Sequence, residues 1–454
     1  MTYFFETYGC QMNMAESAAA ALILTERGWT AASAPEYADL IIINTCSVRI
    51  TAETRVHGRL GLLYALKKKQ PFTLILMGCM AERAGTELKK RFPYIDHIVG
   101  TFEKHRIGDI AAGLEAIQAS LENPELLSSS PSDDAYQVAA SKYHFAHLSW
   151  ERGSPQAFVP IMHGCNNFCS YCIVPYVRGR EISRSPDEIL KELEFLAANG
   201  VREVTLLGQN VNSYRWQEDS GEVIDFPGLL ERAAQRLAKI EHNSIGWIRF
   251  VSSHPKDLST ELLKVMARER IFCRHIHLPV QSGSNAVLKA MNRKYTREDY
   301  LALVARIREI LPDVSLTTDI LTGFPGETEE NAEDTVKLLQ EVRFDSAFMY
   351  YYNPREGTAA CSLPNPISKE VKKERLARII EVQHGITREI LESRVGTRVR
   401  VLAESVSRNN PGELLARTER DERVVFPGNE ELIGSFVELE LTGLNGNTFM
   451  GKEE

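Results

Sequence analysis

The chain has 454 residues, 43% of them apolar and 25% charged, with a formal net charge of −8. That length allows roughly two to four domains, each able to bury its own core. No apolar run reaches about 18 residues, so no helical membrane span is expected. The negative charge argues against wholesale wrapping of nucleic acid but leaves local basic patches open.

The chain starts Met1-Thr2-Tyr3-Phe4-Phe5-Glu6-Thr7, without a basic n-region or a long apolar stretch. No signal peptide is expected, and the expected location is the cytoplasm. In that reducing compartment the eight cysteines read as ligands or core residues rather than disulfides.

Residues 1–115 alternate strand and helix. Thr2–Tyr8, Asp39–Asn44 and Phe72–Met77 are predicted strands, with helices over Met14–Arg27 and Ala52–Lys69 between them. Continuous apolar strands separated by helices specify an open parallel α/β sheet covered on both faces. Each of the three strands runs straight into a cysteine, at Gly9-Cys10, Thr45-Cys46 and Gly78-Cys79. Ligands of such sheets gather beyond the carboxyl ends of the strands. One cysteine there reads as a small buried residue. Three of three point to a set of thiolates, Cys10, Cys46 and Cys79, holding an iron–sulfur cluster one ligand short.

Residues 116–150 lose hydrophobic periodicity, and Leu127-Ser128-Ser129-Ser130-Pro131-Ser132-Asp133-Asp134 reads as a linker. From 151 to 380 the alternation resumes. Strands are predicted over Ala157–Met162, Glu203–Leu207, Trp247–Val251, His275–Leu278, Ser315–Leu321 and Ser346–Tyr351, with helices such as Pro186–Ala198 and Arg297–Ile310 between them. Six βα units suit a partial (βα)6 barrel rather than a closed eightfold one.

Just after the first of these strands stands Gly164-Cys165-Asn166-Asn167-Phe168-Cys169-Ser170-Tyr171-Cys172. Three thiolates at a three-then-two spacing on one loop grip three corners of a cubane cluster, leaving one iron open to a small molecule. Structural zinc usually takes four ligands in pairs from two knuckles, whereas the next cysteine after Cys172 is Cys273. The spacing therefore points to a catalytic [4Fe-4S] cluster.

Lys369–Arg394 is a long amphipathic helix. The region 381–454 holds the end of that connector and then short alternating strands broken by Asn409-Asn410-Pro411-Gly412 and Leu444-Asn445-Gly446-Asn447, which suggest a small OB-like all-β barrel. From Arg394 to Glu454 there are 8 basic and 11 acidic side chains, but seven arginines lie between Arg394 and Arg423 against five acids, so one face stays open to a positive potential.

Several strings now stand together: Glu6-Thr7-Tyr8-Gly9-Cys10-Gln11-Met12-Asn13, Asn44-Thr45-Cys46, Met77-Gly78-Cys79, the Cys165 triplet, Leu207-Gly208-Gln209-Asn210-Val211-Asn212-Ser213-Tyr214, His277-Leu278-Pro279-Val280-Gln281-Ser282-Gly283-Ser284, and Gly323-Phe324-Pro325-Gly326-Glu327-Thr328. Over almost the whole chain they resemble the radical S-adenosylmethionine methylthiotransferase family. Gln11-Met12-Asn13 is the form found in the branch that 2-methylthiolates N6-isopentenyladenosine at position 37 of tRNA. The sister branches act on a ribosomal-protein aspartate or on threonylcarbamoyladenosine in tRNA.

The resemblance implies a radical-SAM barrel with S-adenosylmethionine on the open iron of the Cys165/Cys169/Cys172 cluster, and a second [4Fe-4S] cluster on Cys10/Cys46/Cys79 that carries the sulfur. It implies two S-adenosylmethionine molecules per turnover, and a C-terminal TRAM barrel that holds tRNA. The implied partners are a tRNA anticodon stem-loop and an electron donor such as flavodoxin or ferredoxin; the sulfur source is unspecified, and a monomer is expected. Expected cofactor contacts are Tyr171, Gly208, Gln209, Ser252, Gln281, Ser282, Arg293 and Gly323. His254 is read as a barrel-rim histidine. Arg178 and Arg180 are candidates for phosphates, and one of Tyr350, Tyr351 and Tyr352 for stacking on an extruded base. Cys273 and Cys361 are read as bystanders.

Overall fold

The structure, a computed structural model, describes residues 1–47, 50–122, 143 and 145–453. It divides into two compact units: Met1–Glu151 with Ile173–Ile182, and Arg152–Cys172 with Ser183–Glu454. No helix among the described residues is long and apolar enough to cross a membrane.

The first unit runs β1 (Thr2–Tyr8), α1 (Gln11–Glu26), β2 (Thr30–Ala31), β3 (Leu40–Thr45), α2 (Ile50–Lys67), β4 (Thr73–Gly78), α3 (Cys79–Arg91), β5 (His97–Val99) and α4 (Arg106–Glu122). The strands form one parallel sheet in the order β2-β1-β3-β4-β5. Side chains alternate faces along a strand, and here both faces are covered. Ile41, Ile43, Leu74 and Leu76 pack with Val56, Leu60, Met80 and Leu88 on one side. Leu40, Ile42, Ile75 and Met77 pack with Ala20, Leu24, Ile107 and Ile110 on the other. That double burial is why β3 and β4 read as unbroken apolar runs. The expected linker at 116–150 overlaps the end of α4, and its run Leu127 to Asp134 lies outside the described residues.

The second unit begins with six barrel strands: β6 (Gln156–Pro160), β7 (Glu203–Leu207), β8 (Trp247–Phe250), β9 (His275–His277), β10 (Ser315–Thr322) and β11 (Ser346–Tyr351). They pair in parallel as β6-β7-β8 and β9-β10-β11, with a bridge from Ile248 to Phe272 joining the two groups. Helices α5 (Pro186–Ala198), α6 (Phe226–Leu237), α7 (Thr260–Arg268), α8 (Arg297–Ile310) and α9 (Glu329–Val342) lie between strands, and α10 (Lys369–Arg394) follows β11 and packs along it. Sharp helix starts are encoded locally: Thr296 and Thr328 each accept from the backbone three residues on and form capping boxes with Asp299 and Asn331.

The chain ends in a closed five-stranded barrel of β12 (Arg398–Val406), β13 (Glu413–Thr418), β14 (Arg423–Pro427), β15 (Phe436–Asn445) and β16 (Thr448–Glu453). It seals the amino ends of the half-barrel strands. Arg249 of β8 is buried, with Nε on Glu203 Oε2 (2.7 Å), Nη1 on the carbonyl of Glu419 (3.0 Å) and Nη2 on that of Thr418 (2.5 Å). Trp247, Cys273 and Leu402 form an apolar cluster completed by Phe436. Cys273 is thus a packed core residue whose thiol burial pushes upward. Cys361 is exposed and donates to the carbonyl of Arg355 (2.8 Å). With the amino end closed by this barrel, the carboxyl ends of the strands are left for chemistry, as in other (βα) barrels.

Candidate active site

The first triplet follows from the sheet. β1, β3 and β4 are adjacent and parallel, with Tyr8 opposite Thr45 and Thr45 opposite Gly78. Their exits are therefore neighbours at strand spacings of about 4.8 Å. Cys10 caps the start of α1, Cys46 follows β3 directly, and Cys79 opens α3. The order 2-1-3-4-5 puts the topological switch point between β1 and β3, where a crevice forms at the strand ends.

An amide lock holds these exits together. Asn13, fully buried, donates through Nδ2 to Asn44 Oδ1 (3.0 Å) and the Thr45 carbonyl (3.2 Å). Its Oδ1 accepts from the Cys10 backbone N–H (3.1 Å) and thiol (3.2 Å). Asn44 answers by donating to the Asn13 carbonyl (2.8 Å) and Ser17 Oγ (3.0 Å). Thr45 Oγ1 donates to the Met77 carbonyl (2.6 Å), tying in the third exit. Gly78 completes the lock. Its φ is +95°, and a Cβ there would stand 2.5 Å from both Asn44 Oδ1 and the Thr45 carbonyl. Asn13 and Asn44 were visible in the sequence only as letters beside Cys10 and Cys46; their contact depends on pairing that only the fold reveals.

Beneath the thiols lies a buried charge group. Arg178, on the segment Ile173–Ile182 that belongs to this unit, donates from Nη1 to Glu16 Oε1 (2.7 Å) and from Nη2 to Oε2 (3.3 Å). Lys104 Nζ donates to the same Oε1 (2.8 Å) and to the Tyr143 hydroxyl (2.7 Å). Burial pushes the Glu16 carboxyl up, but Arg178 and Lys104 outweigh it and bring the group down to about 2. The Cys10 thiol is lowered to about 6, first by a hydrogen bond with Cys46. Cys79, dominated by burial, is raised. Arg178, expected at a phosphate, is instead buried on Glu16, a correction that follows from its fork matching a carboxylate two-pronged. Arg180 is exposed.

The second triplet sits on the loop after β6, in the other unit. Positive φ at Gly164 (79°) and Phe168 (48°) turns the loop. Its backbone is held by Ser170 N–H to the Met291 carbonyl (3.0 Å), Ala360 N–H to the Ser170 carbonyl (2.8 Å), and Asn292 Nδ2 to the Phe168 carbonyl (2.8 Å). Tyr171 packs on Val287, Met291, Phe324, Tyr352 and Ala360. Arg293 is buried and fully engaged, with Nη1 on Cys169 Sγ (3.3 Å), Nε on the Tyr295 hydroxyl (2.9 Å) and Nη2 on the Pro279 carbonyl (2.8 Å).

The other expected contacts lie around the carboxyl ends of the barrel strands. Gly208 follows β7, where a Cβ would stand 2.5 Å from Met162 Cγ. Gln209 Oε1 is buried without a partner among the described residues, as are Asn210 Oδ1, both polar atoms of the Asn212 amide, and Ser253 Oγ. Ser252 and Gln281 have positive φ, 70° and 72°. The Ser282 hydroxyl is taken up by Thr335 (3.3 Å) and by the Ser284 N–H (3.2 Å). Gly323 lies against Lys372 of α10, and its N–H donates to Glu327 (2.6 Å). His254 accepts from the Lys256 N–H (3.3 Å), and burial lowers it to about 2, so it stays neutral. Tyr352 is buried, whereas Tyr350 and Phe348 stand exposed on β11.

Among the described residues no three cysteine, histidine or carboxylate side chains already converge on one point, and all six triplet thiols are free of disulfides. The fit to iron–sulfur clusters therefore rests on the donors themselves: soft thiols in threes, each set beside a buried arginine. The unpartnered amides and hydroxyl at the ends of β7 and β8 fit a polar ligand, since such atoms rarely stay unsatisfied.

Three family descriptions match in chain order: "Uncharacterized protein family UPF0004" over residues 2–100, "Radical SAM superfamily" over 159–339 and "TRAM domain" over 392–452. A tRNA-2-methylthio-N(6)-dimethylallyladenosine synthase of Treponema denticola is 53% identical, covering 99% of both chains. That of Treponema pallidum is 52% identical over 99% of this chain and 98% of its own. The chain belongs to the tRNA-2-methylthio-N(6)-dimethylallyladenosine synthase family of radical SAM methylthiotransferases. A further member, from Syntrophotalea carbinolica, is 40% identical over 99% of both chains.

Among solved structures, the radical S-adenosylmethionine methyltransferase TsrM of Kitasatospora setae matches with a TM-score of 0.57 at 15% identity, covering 79% of this chain and 77% of its own. The cobalamin-dependent radical enzyme OxsB matches at 0.51 with 13% identity, covering 85% and 57%. At such identities these two speak for the fold alone. Membership accounts for the order of the three parts.

Proposed function

We propose that this chain methylthiolates C2 of N6-isopentenyladenosine at position 37 in a tRNA anticodon stem-loop, acting in the cytoplasm as a monomer fed by a small electron donor. The observation that carries the reading is the pair of thiol triplets, one on a single loop and one at three adjacent strand ends, in a chain of this family. When loaded, two [4Fe-4S] clusters and two S-adenosylmethionine molecules per turnover supply hydrogen abstraction from an unactivated C–H bond and a methylated sulfur to replace it.

The residues of the chain have narrower tasks. Cys165, Cys169 and Cys172 hold the cluster that binds S-adenosylmethionine. Tyr171, Gly208, Gln209, Ser252, Gln281, Ser282, Arg293 and Gly323 surround the cofactor, Gln209 with a buried acceptor to spare and Arg293 by fixing the Cys169 corner. Cys10, Cys46 and Cys79 hold the sulfur-carrying cluster. Phe348 and Tyr350 present exposed rings on which an extruded base stacks, a contact commonly worth about 1–3 kcal/mol. The TRAM barrel supplies the RNA grip.

The test is nucleoside mass spectrometry of tRNA from cells lacking the chain and cells regaining it. Methylthio-isopentenyladenosine should vanish and return. A methylthio group that appears only on a ribosomal protein, with tRNA unchanged, would overturn the substrate assignment.

A further inference from the structure

One face of the β9-β10-β11 sheet carries a polar pair that has no part in the function as assigned so far. Side chains alternate along a strand, so Thr317, Asp319 and Leu321 of β10 share that face. Register sets His277 opposite Thr317, Asp319 opposite Phe348 and Leu321 opposite Tyr350. The other face, with Ile276, Leu316 and Ile320, is buried. On the first face Phe348 is 54% exposed, and the Asp319 side chain 30%.

His277 Nε2 stands 3.5 Å from Asp319 Oδ1, and its ring lies edge-on to Phe348 with centroids 5.8 Å apart. A carboxylate only accepts, so the nitrogen facing it carries its hydrogen. The other ring nitrogen, Nδ1, is 3.0 Å from Thr317 Oγ1, which also meets Nε2 of His275 (2.9 Å). His275 is buried, and burial lowers it to about 4, so it stays neutral. His277 is thus held at both nitrogens and steadies one oxygen of Asp319. Among the described residues no hydrogen bond reaches the other oxygen, Oδ2. Leu321, next along the same face, packs on the apolar cluster that Tyr171 also joins. That contact ties the face to the loop of Cys165, Cys169 and Cys172.

An exposed aromatic ring beside an acceptor-only carboxylate fits a flat heterocycle with an N–H at its edge. Within a nucleotide, N6-isopentenyladenine has a single N–H, at N6, while N1, N3 and N7 only accept. Stacking on Phe348 sets the plane of such a base but leaves it free to rotate in that plane. A bond from N6–H to a fixed carboxylate stops the rotation, and so decides which edge of the ring offers C2 for reaction. We propose that Asp319, steadied by His277, is a specificity-determining residue that accepts the N6–H of the extruded base. The inference rests on the substrate reading above. A base with oxygen in place of that N–H sets a lone pair against the carboxylate and is refused.

The test is a competition on the full, cluster-loaded chain under anaerobic conditions. Two anticodon stem-loops are mixed, one with N6-isopentenyladenosine at position 37 and one with 6-isopentenyloxypurine riboside, which keeps the shape and lacks the N–H. The ratio of methylthiolated products, read by mass spectrometry, is the ratio of kcat/KM values and does not depend on how much enzyme is active. The parent should favour the N–H base at least roughly tenfold, as a hydrogen bond to a charged group commonly does. Asp319→Asn can turn its own N–H to the ether oxygen, and should bring the ratio within about threefold of one. Asp319→Ala should do the same. A purely structural aspartate would lower both products together and leave the ratio as in the parent. A parent without preference, a parental ratio in Asp319→Asn, or loss of both products in both variants would overturn the proposal. A parent that methylthiolates neither stem-loop would refute the RNA reading itself, and this inference with it.

Discussion

Cys165, Cys169 and Cys172 are brought together within one loop, whereas Cys10, Cys46 and Cys79 are brought together by a sheet. The loop set needs two residues with positive φ, backbone bonds to Met291 and from Ala360, and the Asn292 amide on the Phe168 carbonyl. The strand-end set needs correct register across three strands, a double amide between Asn13 and Asn44, and a glycine at 78 that leaves those amides room. The first arrangement should tolerate local damage, and the second should fail cooperatively. The loop set has a buried arginine on one sulfur, Arg293 on Cys169, whereas in the strand-end set Arg178 is bonded to Glu16, and the means of convergence differ.

The largest expected effect separates the two sets by role. Cys165→Ala should abolish formation of 5′-deoxyadenosine from S-adenosylmethionine, a loss of at least roughly a thousandfold on the usual scale for removing an essential group. Cys10→Ala should retain that cleavage and make no methylthiolated nucleoside. Chromatography of deoxyadenosine beside nucleoside mass spectrometry decides it, and normal thiolation by Cys10→Ala would break the division of labour.

Next comes the amide lock. Asn13→Ala strips partners from the Cys10 N–H and the buried Asn44 amide. A stranded group costs about 1–3 kcal/mol when buried, so at most about 2–6 kcal/mol of stability should be lost. In chains lacking the second triplet, iron on the first should fall with it. Unfolding in urea and iron content measure both, and full iron retention would show that the cysteines need no such lock.

The same contrast sets how much was legible in the sequence. The Cys165 triplet reads directly because its three thiols lie within eight residues of one loop. The three strand-exit cysteines were readable because apolar runs such as Leu40–Ile43 mark parallel strands, and strand ends share an edge. Arg178 was misread, because a sequence-adjacent arginine looks solvated until Glu16, 162 positions away, is placed beside it. Asn13 met the same obstacle, its partner being 31 positions off. Of the three tyrosines considered for stacking, Tyr352, just past the strand end, is buried, and Tyr350 is exposed. The barrel at the end of the chain was expected from turns and short strands, but its seat on Arg249 and Trp247 carries no local signature.

Acid should find the strand-end set through Glu16. Its carboxyl lies at about 2, against an ordinary 4.5, with Arg178, Lys104, Cys10 and Cys79 around it. A depressed carboxylate contributes its full stability above the unfolded value and loses it as the pH falls through the folded one. The window is therefore from about 4.5 down to about 2, and the amount is about 3 kcal/mol at most. Glu16→Gln should flatten this part of the stability–pH curve, read as urea midpoints at a series of pH values. An unchanged slope would mean that the two cations find other partners.

The smallest effect is expected on the loop set. The Ser170 hydroxyl donates to the Ala290 carbonyl (2.8 Å), a contact of the same kind as those in the amide lock. Its site is open to solvent, so water replaces the lost partner, and Ser170→Ala should cost less than about 1 kcal/mol. The backbone N–H of Ser170 still holds Met291, and its carbonyl still accepts from Ala360. The loop therefore keeps its shape, and deoxyadenosine formation should stay within about twofold of the parent, a change of roughly 0.4 kcal/mol in the barrier. A tenfold loss would show that side-chain bonds, and not the backbone path, gather Cys165, Cys169 and Cys172, and the distinction between the two sets would shrink to one of distance along the chain.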